Sequence, residues 1–137
     1  VVVDTAPNAD QTALRAARAS ELVLVPCRPS ILDLDAIVAT LELCTIAKAS
    51  ALTILNAAPI RSRVVVDAGE AIRKVGGTVC PAIIRERVAF RHSLVDGWVA
   101  QEYEPDGQAA AEIAALYDAV TRKDAIAQAR NPAREIA

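Results

Sequence analysis

Aromatic side chains are scarce in this sequence: one Trp, two Tyr and one Phe, 3% of 137 residues. A core so poor in rings must be built from Val, Ile, Leu and Ala, which favours an Ala-rich helical layer against aliphatic strands. One histidine, His92, and three scattered cysteines, Cys27, Cys44 and Cys80, supply no CxxC pair and too few ligands for a zinc site. The cysteines read as buried, reduced thiols of a cytoplasmic protein, and His92 as a surface residue. No run approaches the ~20 apolar residues of a membrane-spanning helix. The opening Val1-Val2-Val3 has no initiator Met and no basic flank, unlike a signal peptide, and reads as a core strand entered partway. The formal net charge of −2 gives no long-range pull on nucleic acid, so any DNA contact needs a local cluster of Arg and Lys.

What is present is ordinary for a folded domain: 53% hydrophobic and 23% charged residues. Val1–Val3 and Leu22–Val25, the latter stopped by Pro26, are apolar without alternation, the pattern of parallel strands covered on both faces. Ala9–Ala19 is Ala-rich and free of Gly and Pro, as suits a helix. Leu34, Ile37, Val38, Leu41 and Cys44 recur at helical spacing, with Asp33 and Asp35 at the dipole-favoured start. Ala51–Asn56 predicts a third strand, 64–75 a helix ended by Gly76-Gly77, and Thr78–Ile84 a weaker fourth strand. Arg85–His92 reads as a basic loop. A last helix carries Ala109, Ile113, Leu116, Tyr117 and Val120 on one face. Strands alternating with helices imply an α/β fold with a doubly wound, mainly parallel sheet flanked by helices.

Three groups of residues can carry chemistry. Asp4 ends the first apolar run, and a carboxylate at the carboxyl end of a buried parallel strand faces the crevice where such sheets bind ligands. It can hold Mg²⁺ there, or simply cap the next turn. Asn56 ends another strand, where an amide serves as a turn residue or, with its donor and acceptor, as a ligand contact. Arg85, Arg87 and Arg91, with Arg73 and Lys74 nearby in sequence, form either a phosphate-binding patch or a solvated group paired with Glu86 and Asp96. Lys74-Val75-Gly76-Gly77-Thr78 has its lysine before the glycines, so it reads as a helix end and not as a phosphate loop.

Val1–Pro7, with its Asp4-Thr5-Ala6-Pro7 ending, followed at set spacing by Leu22–Pro26 and then Pro29-Ser30-Ile31-Leu32-Asp33, resembles the ParA-type partition ATPases, in particular the small ParF-like members of this deviant Walker P-loop family. Pro81–Arg91 looks like the family's final strand and basic loop, and Ser93–Gly97 and Gly107–Ile113 continue the pattern, so the resemblance spans roughly residues 1 to 122. It implies that 1–123 are the C-terminal portion of a P-loop NTPase-like nucleotide-binding domain, with 124–137 a polar, frayed tail. Asp4 would be the Walker B carboxylate, reaching Mg²⁺ through water. Thr5 and Ala6 would lie in the segment sensing the γ-phosphate, and Asn56 beside the adenine of ATP. Arg85, Arg87, Arg91 and Lys74 would hold nonspecific DNA in an ATP-bound homodimer associated with the nucleoid, with a ParB-like centromere-binding protein as partner. The family's Gly-rich loop and switch I aspartate have no counterpart here, since no Gly-Lys-Ser/Thr occurs; these residues are not expected to hydrolyse ATP by themselves. Two alternatives are a non-hydrolysing binding module and a related cargo- or division-site-positioning ATPase. Ala125–Pro132, poor in large apolar residues and broken by Pro132, would make a poor membrane anchor, which disfavours the last.

Overall fold

A computed structural model describes residues 1–6 and 10–122. In chain order the elements are α1 (Gln11–Ala19), β1 (Val23–Cys27), α2 (Ile31–Ala47), β2 (Ala51–Leu55), α3 (Val64–Lys74), α4 (Val88–Val95), α5 (Ala100–Tyr103) and α6 (Gln108–Thr121). Local signals account for the starts of α1 and α2. Asp10 caps α1 by accepting from the amides of Thr12 and Ala13 at 2.8 and 3.0 Å. Ser30 caps α2, accepting from the Asp33 amide at 3.2 Å while its hydroxyl donates to the Asp33 carboxylate. Pro29-Ser30-Ile31-Leu32-Asp33 therefore has a local job as a helix-starting device, whatever else it signifies.

β1 and β2 pair in parallel from Val23↔Ala51 to Cys27↔Leu55, joined by the α2 crossover. β1 runs through Pro26, which the sequence had marked as a stop. The Val23 amide donates to the Ser50 carbonyl and the Cys27 carbonyl accepts from the Asn56 amide, so odd residues of β1 bond to β2. Pro26 lies on the alternate set, and its missing N–H faces the open edge where no ladder bond is lost.

Each face of β2 has its own core. On one, Val25, Cys27 and Leu55 pack with Ile37 and Leu41 of α2 and Val65, Ala68 and Ile72 of α3. On the other, Leu52 and Ile54 join Cys80, Ala82 and Ile84, with Phe90 of α4 and Ile113, Leu116 and Val120 of α6 packed against them. β1 is covered on the first face only: Val25 and Cys27 are buried, while Leu24 and Pro26 are exposed.

The expected doubly wound, mainly parallel P-loop NTPase-like sheet is not what forms. Among the described residues the sheet has two strands. Val1–Val3, expected as the first strand, lie in solvent without a strand partner, Val1 and Val2 essentially fully exposed. Apolar character alone does not make a strand when no neighbour supplies the ladder bonds. The expected fourth strand contributes only isolated parallel bridges to β2 and its extension, Thr53↔Val79 and Ala58↔Arg85. The partner segment uses one residue more than the β2 side between those bridges: the Cys80 amide still donates to the Thr53 carbonyl, but the Leu55 carbonyl is met by the Ile84 amide in place of Ala82, so the chain bulges and the ladder is interrupted. Arg85–His92, expected as a loop, is helical from Val88. Residues 7–9 and 123–137, including the expected tail, lie outside the described residues. No described helix is long and apolar enough to cross a membrane.

α3 ends as its glycines predict. Gly76 takes φ 81°, its amide donates to the Arg73 carbonyl, and the Gly77 amide reaches back to Ile72. A Cβ on Gly77 would stand 2.7 Å from the Ile72 Cγ2 methyl and 3.1 Å from its carbonyl oxygen, so the turn tolerates no side chain there.

One core group is out of place. Thr53 is wholly buried, and its hydroxyl has no hydrogen-bond partner among the described residues. Thr53→Val keeps the shape and removes the stranded hydroxyl, so it is expected to stabilise the chain by about 1 kcal/mol, read from urea unfolding. A destabilised variant would mean that the hydroxyl is satisfied in solution.

Candidate ligand site at the carboxyl edge of the sheet

The carboxyl ends of β1 and β2 lie side by side, and each delivers a polar residue just past its last strand position: Arg28 after β1 and Asn56 after β2. Ala57 follows with φ 49°, a left-handed conformation that costs a non-glycine residue of order 1 kcal/mol and turns the chain sharply at the strand end. The segment bearing the arginines is then fastened to this turn. Ile84 N–H donates to the Leu55 carbonyl at 2.9 Å, Ala58 N–H to Ile84 at 3.0 Å, and Glu86 N–H to Ala58 at 2.9 Å.

A cavity of about 560 Å³ opens between these pieces. Ile54, Ile84, Phe90, Ile113 and Leu116 give it apolar walls, and Asn56 and Glu86 with Arg28, Arg85, Arg87 and Arg91 supply its polar rim. It lies against the face of the sheet that β1 leaves uncovered, beside Pro26.

The four guanidiniums are not equivalent. Arg87 donates through Nε and Nη2 to Glu112 Oε1 of α6 at 2.9 and 2.6 Å, and both side chains are mostly buried. Those hydrogen bonds push the Arg87 pKa further up, burial opposing them, so its charge is fixed and already neutralised. Arg91 faces Glu86 at 3.9 Å, with both side chains largely in solvent, a contact of small energetic weight. Arg85 donates from Nη1 to the Pro59 carbonyl at 2.7 Å, a neutral acceptor that leaves the positive charge uncompensated. Arg28 is exposed and in no ion pair among the described residues. The rim therefore presents Arg28, just past the end of β1, and Arg85, on the segment bridged to Ala58, as cations in no ion pair among the described residues.

The sequence-predicted residues divide accordingly. Asn56, Arg85, Arg87 and Arg91 come together at one cavity, although the sequence had assigned Asn56 to nucleotide and the arginines to DNA. Lys74 does not join them. It ends α3 next to the Gly76-Gly77 turn, which lies with Ala51 at the opposite, amino-terminal edge of β2. Asp4, Thr5 and Ala6 are exposed and line neither this cavity nor the hollow beside Gly77. Among the described residues no group of three His, Cys, Asp or Glu could hold a metal ion. For ATP the fit is partial. Asn56 and the apolar walls suit a base, and Arg28 and Arg85 suit an anionic group, but nothing here cradles a triphosphate.

No family model and no curated protein matches the chain.

Sequence reading missed Arg28 and Glu112. Arg28 had a signal, its place directly after a strand's carboxyl end. Glu112 had a stronger one: with Ala109, Ile113, Leu116 and Val120 it falls on the inward face of α6, where a carboxylate demands a partner. The cysteines are as expected, free and buried. Burial, with Asp33 adding to it, pushes the Cys27 thiol up to about 11, and burial raises Cys44 and Cys80, so all three remain protonated at neutral pH and offer no nucleophile.

Proposed function

We propose that this chain is a nucleotide-binding module, the base-side part of a ParA-type partition ATPase, and that it does not hydrolyse ATP by itself. The observation that supports this reading is the convergence of Asn56, Arg28 and Arg85 on one apolar-walled cavity at the carboxyl ends of two parallel strands, where open α/β sheets take their ligands. The base lies against Ile54, Phe90 and Ile113 with its edge on the Asn56 amide, and an anionic group meets Arg28 and Arg85. Between the ATPase and the non-hydrolysing readings, the second suits these 137 residues better. Asp4 does not line the cavity, and no Gly-Lys-Ser/Thr run in the sequence supplies the phosphate-cradling loop on which phosphoryl transfer depends. In the complete protein the resemblance extends the proposal to Mg²⁺-dependent ATP hydrolysis, an ATP-bound homodimer, nonspecific DNA on the nucleoid and a ParB-like partner.

The test is equilibrium binding of ADP, without added metal, measured by isothermal titration. Asn56→Ala is expected to weaken ADP about tenfold, the effect of removing one well-placed hydrogen-bonding partner in a sheltered site. Lys74→Ala, at the other edge of the sheet, is expected to bind as the wild type does. Absence of ADP binding to the wild-type chain, or an Asn56→Ala variant of unchanged affinity, refutes the reading.

A further inference from the structure

The segment from Ile84 to Arg87 forms one wall of the cavity and carries Arg85, yet β2's extension holds only one side of it. The amides of Ile84 and Glu86 donate inward to Leu55 and Ala58. The Arg85 amide points to the other side, where a further strand would accept it. Glu112 accepts it instead, through Oε2 at 3.0 Å, while Oε1 takes both donors of Arg87. One carboxylate on α6 thus closes the edge of the ladder and fixes the arginine next along the chain. Around it, Ile113 and Leu116 of the same helix line the cavity floor.

We propose that Glu112 is a positioning residue for ligand binding: it locks the Arg85–Arg87 wall in place and withdraws Arg87 from ligand contact. Anion recognition is thereby left to Arg28 and Arg85. Because ligand affinity enters the test, this rests in part on the nucleotide reading above. The physical basis is the sharing of three hydrogen bonds by a mostly buried carboxylate. A guanidinium and a backbone amide at that separation recognise a carboxylate geometrically as well as by charge, so the wall is rigid before any ligand arrives. Deleting the carboxylate strands the amide, frees the Arg87 side chain and loosens the backbone that aims Arg85.

Two measurements on the full chain test it. In the wild type, amide hydrogen exchange at Arg85 is expected to be slow, and in E112A to rise to the rate of exposed loop amides while Ile84 and Glu86 remain protected. ADP affinity is expected to fall about tenfold in E112A and in R87M, with the double variant no weaker than the poorer single one, because both break one device. A purely structural pair would lower thermal stability and leave the ADP affinity of the folded protein unchanged; that result overturns the proposal. So does an affinity that rises in E112A, which would make Glu112 an opponent of the ligand, and so does a fast-exchanging Arg85 amide in the wild type. If the wild type binds no ADP while its Arg85 amide is protected through Glu112, the nucleotide reading fails and the locked wall stands.

Discussion

Ile72→Ala is expected to destabilise the chain by about 3–4 kcal/mol, enough to lower the thermal midpoint by roughly 10 °C or more. Ile72 has no exposed surface, and it joins α3 to the core beneath Val25, Leu55 and Leu41. It also shapes the turn that follows, since its carbonyl accepts the Gly77 amide and its Cγ2 methyl fills the space a Gly77 side chain would need. Truncation leaves a cavity that the surrounding elements cannot close without moving this turn. Val66, on the same helix but 59% exposed, supplies the contrast: Val66→Ala is expected to stay within about 0.5 kcal/mol of the wild type. Chemical denaturation of the three proteins decides the matter. Equal losses at both sites would mean that α3 does not pack on the sheet as described.

Arg85→Glu is expected to weaken binding to nonspecific duplex DNA about thirtyfold at low salt. It removes an attraction of about 1 kcal/mol at one phosphate and adds a repulsion of similar size. The same change at Lys74 is expected to leave DNA affinity unaltered. α3 carries Lys74 to the opposite end of β2, so Lys74 and Arg85 do not form one patch despite their nearness in sequence. Arg87 is unsuitable for this comparison, because its reversal would place two carboxylates together and disturb α6. Fluorescence anisotropy with a labelled duplex over a salt series reads the effect. A titration of Arg85→Glu that overlays the wild type removes Arg85 from the DNA contact, and a loss at Lys74 equal to that at Arg85 removes the division of the patch.

Much of the fold was legible because it is written in local signals. Ser30 and Asp33 start α2, Gly76 and Gly77 end α3, and the spacing of Ile37, Leu41 and Cys44 marks the inward face of α2. These devices act within one or two helical turns, so they need no knowledge of the partner surface. Strands are different, because a strand exists only with a neighbour. Val1–Val3 and Thr78–Ile84 have the composition for it, but the first finds no strand partner among the described residues and the second bulges out of the ladder between Cys80 and Ile84. The candidate site was half legible for the same reason. Asn56 and the arginines were visible as residues at strand ends, whereas their meeting at one cavity depends on the Ala58↔Arg85 bridge between distant parts of the chain.

By itself the sequence determined an aliphatic core with few rings, four helices close to where α1, α2, α3 and α6 lie, two of its four expected strands and buried thiols, because periodicity, caps and composition act locally. Only the tertiary structure decided the extent of the sheet, the separation of Lys74 from Arg85, the exposure of Asp4 and the neutralisation of Arg87 by Glu112. Those depend on which backbone donors meet which acceptors across many residues, and on which charges end up within a few ångströms of each other.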